Sequence, residues 1–170
     1  ISNDLPQQDS TSFEPISNIE QEPEVVATVE NFSDSVDWAV LGQSVQQDRQ
    51  YISSTQVNRN FDADLLDIFL EEAEELLEGI DTDLNIWVGE QENFAALNNL
   101  MRYLHTLKGG ANMVQATYLG LIAHELESIY ERLIQKQLVV TSDLIDFIRL
   151  VQDDLADRLQ IMREQQLDYA

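Results

Sequence analysis

The chain has 170 residues, enough for one domain with a sizeable core and an additional segment. It contains no cysteine, which excludes disulfides and thiolate metal sites. With 9 Lys+Arg against 32 Asp+Glu its formal net charge is −23, and the acids are spread over both halves, so nucleic acid and anionic membrane are repelled and a protein partner is favoured.

The chain starts at Ile1 and no basic region precedes an apolar run, so no signal peptide is expected. Nor does any apolar stretch approach the ~18 residues that span a bilayer. A cytoplasmic setting without membrane insertion is the expectation.

All three prolines, Pro6, Pro15 and Pro23, fall in the first 23 residues among Ser, Gln, Asn, Asp and Glu. Such a composition buries too little apolar surface to offset its ordering entropy, so residues 1–32 read as linker. Residues 33–57 admit two readings. Ser33 or Asp34 can cap a short helix over about 33–47, with Val36, Val40 and Leu41 on one side and Trp38 nearby, or the stretch continues the linker. Residues 1–60 are thus expected to be an acidic, largely disordered linker, and residues 61–170 the folded domain.

From Asn60 the pattern changes to apolar residues at helical spacing without proline. A first helix is expected from about Asp62 to Trp87. Its stripe is Leu65, Ile68, Phe69, Ala73, Leu76, Leu77, Ile80, Leu84 and Trp87, and Asp62 or Asp64 favours its start. The turn from Gly89 to Asn93 ends it. Asn93 caps a second helix carrying Leu97, Leu100, Met101, Leu104, Leu107 and Ala111. A third runs from about Thr117 to Lys136 with Leu119, Ile122, Leu126, Ile129, Tyr130 and Leu133 inward. Thr141, Ser142 and Asp143 open a fourth, with Leu144, Ile148, Val151, Leu155, Leu159 and Met162 facing the core. Strand signals are nearly absent, Leu138–Val140 being the nearest. Four amphipathic helices with short connections predict an all-α antiparallel four-helix bundle, with room for an extra N-terminal helix.

The chemistry concentrates in His105-Thr106-Leu107-Lys108-Gly109-Gly110 on the second helix. His105, Lys108 and Gly109 lie at i, i+3 and i+4 and share one face, as does Arg102 at i−3. Cations beside an imidazole suit a ring that must carry a phosphoryl group, because a dianionic phosphate gains charge-assisted hydrogen bonds there. Each glycine costs about 1 kcal/mol relative to alanine inside a helix, so the pair needs a reason. It either ends the helix or, if the helix runs on through Ala111 to Val114, leaves a face without side chains on which a partner can approach His105. On the third helix His124 and Glu127 stand at i and i+3, with Gly120 at i−4 thinning the same face. In an antiparallel bundle Glu127 can reach one ring nitrogen of His105 and fix its tautomer, leaving the other nitrogen free for attack; the plainer reading of His124 and Glu127 is a surface pair.

The residues from about Leu65 to Ile161 resemble a histidine phosphotransfer (HPt) domain of the kind at the amino terminus of CheA-type chemotaxis kinases, including the multi-HPt kinases of type IV pilus motility. The resemblance is carried by His105 to Ala111 and His124-Glu-Leu-Glu127, and covers none of residues 1–60. It implies that His105 is the phosphoacceptor, that Lys108 assists the phosphate, that Gly109 clears the approach, and that Glu127 bonds the histidine with His124 in the same network. The phosphoryl group would come from an ATP-dependent histidine kinase domain of the same parent chain and pass to a response-regulator aspartate. The chain has no glycine-rich nucleotide loop, so no cofactor of its own is expected; kinase and receiver would supply ATP and Mg2+. Two alternatives stand beside this. One is a receiver-binding module that carries no phosphate. The other is a di-iron bundle, which requires two Glu-x-x-His motifs and two further glutamates where this chain offers one His-x-x-Glu.

Overall fold

The computed structural model describes residues 36–49 and 56–170. The expected linker over residues 1–32 and the caps Ser33 and Asp34 lie outside the described residues. The described elements are α1 (Trp38–Arg49), β1 (Val57–Asn58), α2 (Ala63–Gly89), α3 (Phe94–Met113), α4 (Thr117–Ile134), α5 (Ser142–Gln165) and β2 (Asp168–Tyr169). Helices α2 to α5 form the antiparallel four-helix bundle that the periodicity predicts.

Each bundle helix starts where a side chain can satisfy its first amides, with one exception. Asp62 accepts from the amides of Asp64 and Leu65, both at 3.1 Å, Asn93 from Ala96 at 3.0 Å, and Thr141 from Leu144 at 3.1 Å. The exception is α4, where Ala116 occupies the cap position and contributes no side-chain bond.

The core is nearly all aliphatic, with Trp87, Tyr130, Ile80, Leu84, Leu100, Leu104, Leu107, Leu126 and Leu144 among the fully buried side chains. One end of the α2 stripe differs from expectation. Leu65 and Ile68 are exposed, whereas Leu66 and Leu70 are buried beside Phe69 and Ala73. Residues 65–70 include five large apolar side chains, and the periodicity there fits more than one face; the packing of Phe69 against Gly110 of α3 selects the inward one.

Helix α1 also departs from the expected 33–47. Asp37 is its capping residue, its Oδ1 accepting from the Val40 amide at 3.1 Å. Its inward side is Trp38, Gly42 and Val45, not the Val36, Val40 and Leu41 set; Val40 and Leu41 are exposed. The reason is a docking contact on α5: the Trp38 ring lies 5.1 Å from that of Phe147, and a Cβ on Gly42 would be in ordinary contact with Leu150 and Phe147. Arg49 closes the same helix onto α5 through Asp154 and Asp157.

The expected near-absence of strand holds among the described residues, apart from a two-residue antiparallel ladder, β1 with β2, pairing Val57 with Tyr169 and Asn58 with Asp168. Leu138 instead buries its side chain from the α4–α5 connection.

Candidate functional site

The site lies in the groove between α3 and α4. Helix α3 runs unbroken through Gly109 and Gly110 to Met113, so the glycine pair does not end it. Its Leu104, Leu107 and Ala111 are buried, which turns the His105 and Gly109 positions outward. On α4, buried Ala123, Leu126 and Tyr130 leave Glu127 at the border of the core, half-buried and facing α3.

The two helices meet through Glu127. Its Oε1 lies 2.9 Å from His105 Nδ1 and its Oε2 accepts from Lys108 Nζ at 2.7 Å. The Glu127 side chain is 16% exposed, that of His105 68%. Burial pushes the Glu127 carboxyl up, but the hydrogen bonds and positive charge from Lys108 and the bond from His105 outweigh it, so the group sits below its ordinary value. Glu127 is therefore an acceptor-only carboxylate near neutral pH, and Nδ1 of His105 must carry the proton in their bond. With Nδ1 as the donor, Nε2 is the ring nitrogen left for a lone pair.

The other candidates fall into place around this pair. His124 is exposed, with Nδ1 3.8 Å from Glu127 Oε2, near the network but beyond hydrogen-bond reach. Lys108 is half-buried and turned to Glu127. Arg102 is not brought to the imidazole: it donates to Asn99 Oδ1 at 3.0 Å and lies over the Tyr103 ring. Gly109 opens onto free space, as an access role requires. Gly110 does not: a Cβ there would stand 2.9 Å from the Phe69 ring, so this glycine permits α2 to approach α3. Gly120 likewise faces inward, with Asn112 Oδ1 2.6 Å from a Cβ at its position, and does not thin the His124 face.

Among the described residues no group of three or more carboxylate or imidazole side chains is arranged to hold a metal ion. No helix among them is long and apolar enough to cross a membrane.

What this arrangement can do is present an oriented, solvent-exposed imidazole beside a carboxylate. Several known proteins are similar to this chain in sequence or fold. Part of the chain is 28% identical over 85 residues to the sensor histidine kinase CheAY of Helicobacter pylori, covering 50% of this chain and 11% of that protein. Over 97 residues it is 27% identical to the chemotaxis protein CheA of Salmonella typhimurium, covering 57% and 14%. The chain thus matches only a small part of each of these relatives. Among solved structures, the CheA phosphotransferase domain from Thermotoga maritima superposes with a TM-score of 0.55 at 28% identity, over 58% of this chain and 93% of that one. A computationally redesigned four-helix bundle, at 20% identity and a TM-score of 0.54, shares the fold over 56% of this chain and 93% of its own. Residues 64–165 match the family model of the Hpt domain, more than half of the chain, and the chain belongs to that family of histidine phosphotransfer modules.

Proposed function

We propose that His105 is the phosphoacceptor, charged by an ATP-dependent histidine kinase domain and discharged to an aspartate of a response-regulator receiver. The observation that carries this is the pairing of His105 Nδ1 with Glu127 while the ring's other edge faces solvent. Nε2 attacks the γ-phosphorus of ATP; the N–P bond forms as the P–O bond to ADP breaks. The ring then bears positive charge, which Glu127 offsets through the Nδ1–H bond. In the second transfer a receiver carboxylate oxygen attacks phosphorus, and the N–P electron pair returns to Nε2. Phosphoryl transfer depends on positioning and charge neutralisation, and Mg2+ on the partners supplies part of the latter.

Lys108 is placed to change partners. In the unphosphorylated protein it neutralises Glu127; a phosphoryl group on Nε2 offers a second anion on the same helix face, one turn away. The open position at Gly109 gives an incoming domain room beside the ring.

Residues 61–170 are proposed as the phosphotransfer unit of a cytoplasmic, chemotaxis-type kinase that also carries the ATP-binding domain, supported by the names of the CheAY and CheA relatives. The test incubates the chain with such a kinase domain, ATP and Mg2+ and measures acid-labile, base-stable phosphate. His105→Gln is expected to abolish the label. Undiminished label in that variant overturns the assignment, and no label on the original chain leaves the receiver-binding module as the better reading.

A further inference from the structure

We infer that the facing strand residues Asn58 and Asp168 clamp the α3–α4 turn and thereby position His105 against Glu127. The inference rests on the reading of His105 and Glu127 given above, and its two residues lie outside the span 64–165 that matches the Hpt family.

The turn is the only covalent link between the two helices that make the site. It is tight: Val114 N donates to Gly110 O, Gln115 N to Asn112 O, and Ala116 N to Ala111 O at 2.8 Å. Gln115 takes a left-handed conformation with φ 68°. At this point α4 begins without a cap of its own.

Both deficits are met from the strand pair. Asp168 Oδ2 accepts from the Tyr118 amide at 2.9 Å and Oδ1 from the Leu119 amide at 3.1 Å, so a residue fifty positions away caps α4. Asn58 Nδ2 donates to the Gln115 carbonyl at 2.9 Å. These two residues are register partners across β1 and β2, so one rung holds both the middle of the turn and the first amides of α4. The rung is itself anchored. Ala170 N donates to Gln56 O, and Arg158 of α5 donates to the Tyr169 carbonyl while lying over its ring.

Asp168 is 2% exposed, and burial raises its carboxyl above the ordinary value despite the two amide bonds and nearby Arg158. Burying a carboxylate in that way is costly and calls for a positional return.

The geometry explains why the site needs it. His105 lies ten residues before Gln115 and Glu127 ten residues after Thr117, so each is ~15 Å from the turn along its helix. Sliding α4 past α3 by one residue displaces Glu127 by about 1.5 Å. A hydrogen bond of 2.9 Å survives only a few tenths of that.

The test uses the full chain with Asp168→Ala, Asp168→Asn and Asn58→Ala. Nitrogen NMR of the His105 ring reads the share of the Nδ1–H tautomer in unphosphorylated protein, and kinase-driven labelling reads the transfer rate. Asp168→Ala is expected to shift the ring toward the mixed tautomers of a free histidine. It should also slow phosphorylation by about tenfold, within the roughly hundredfold that a 1 Å misplacement can cost. Asn58→Ala should move both readouts in the same direction by less, and Asp168→Asn, which keeps one acceptor oxygen, should recover part of the loss. A lower melting temperature with the His105 signature unchanged overturns the inference. If Asp168→Ala fails to fold, an unchanged signature in the other two variants overturns it equally. The ring signature needs no phosphate, so failure of the clamp is distinguishable from failure of His105 as acceptor.

Discussion

Glu127 is the residue on which the site turns, because it is the one side chain that His105 and Lys108 share. Its carboxyl is held below the ordinary value of 4.5, so its interactions stabilise the fold fully above that value and are lost as pH falls through the lower folded value. Glu127→Gln should therefore show a smaller drop in thermal midpoint than the original chain between about pH 6 and about pH 3; equal drops would show that the carboxylate does not stabilise the fold. The same variant should slow phosphorylation by roughly tenfold to a hundredfold, since orientation and charge offset at the ring are both weakened. Lys108→Ala should slow it while leaving the bundle folded, and a melted bundle by circular dichroism would make the lysine structural instead. The approach of Glu127 to His105 was legible in the sequence because helical spacing and antiparallel packing bring those two faces together; the turn of Lys108 onto Glu127 was not, because it depends on where the neighbouring helix sets its carboxylate. The placement of Arg102 was not, since a long exposed side chain finds its own local partners, here Asn99 and Tyr103.

At the scale of elements, the adjacent glycines separate two requirements that sequence alone runs together. A Cβ at Gly109 meets nothing, whereas one at Gly110 meets the Phe69 ring at 2.9 Å. Gly109→Ala should raise stability by about 1 kcal/mol through helix propensity and slow transfer only if a partner needs that space. Gly110→Ala should instead lower stability by about 1–3 kcal/mol, because the ring must move within a packed interface. Urea unfolding of both variants checks the contrast, and equal shifts of the same sign would refute it. The four bundle helices and the Asn93 and Thr141 caps were readable because each signal is local. The inward face at Leu66 and Leu70 was not, because it is chosen by the neighbouring helix. Nor was the β1–β2 rung: two residues have no periodicity, and Asn58 and Asp168 meet only once the bundle has brought the chain's distant parts together.

At the scale of the whole molecule the dominant fact is charge. The outer surface of α2 carries Asp64, Asp67, Glu71, Glu72, Glu74, Glu75 and Glu78, all exposed, and among the described residues the ion pair joining this row to a base is Glu74 with Arg163 at 3.2 Å. A net charge of −23 on one chain makes the compact state repel itself. Salt acts on two opposed terms. It weakens surface ion pairs, each worth at most ~1 kcal/mol and few in number here. It also screens the repulsion among many acids, as the Debye length falls from ~10 Å at 0.1 M to ~3 Å at 1 M. The second term is the larger because, among the described residues, acids outside ion pairs far outnumber those within them. Raising sodium chloride from about 0.02 M to about 0.5 M should therefore lift the thermal midpoint by ~2–4 °C, the shift that about 1 kcal/mol produces in a chain of this size. A midpoint that stays constant or falls in scanning calorimetry would mean that ion pairs such as those of Arg49 with Asp154 and Asp157, which hold α1 on α5, outweigh the repulsion.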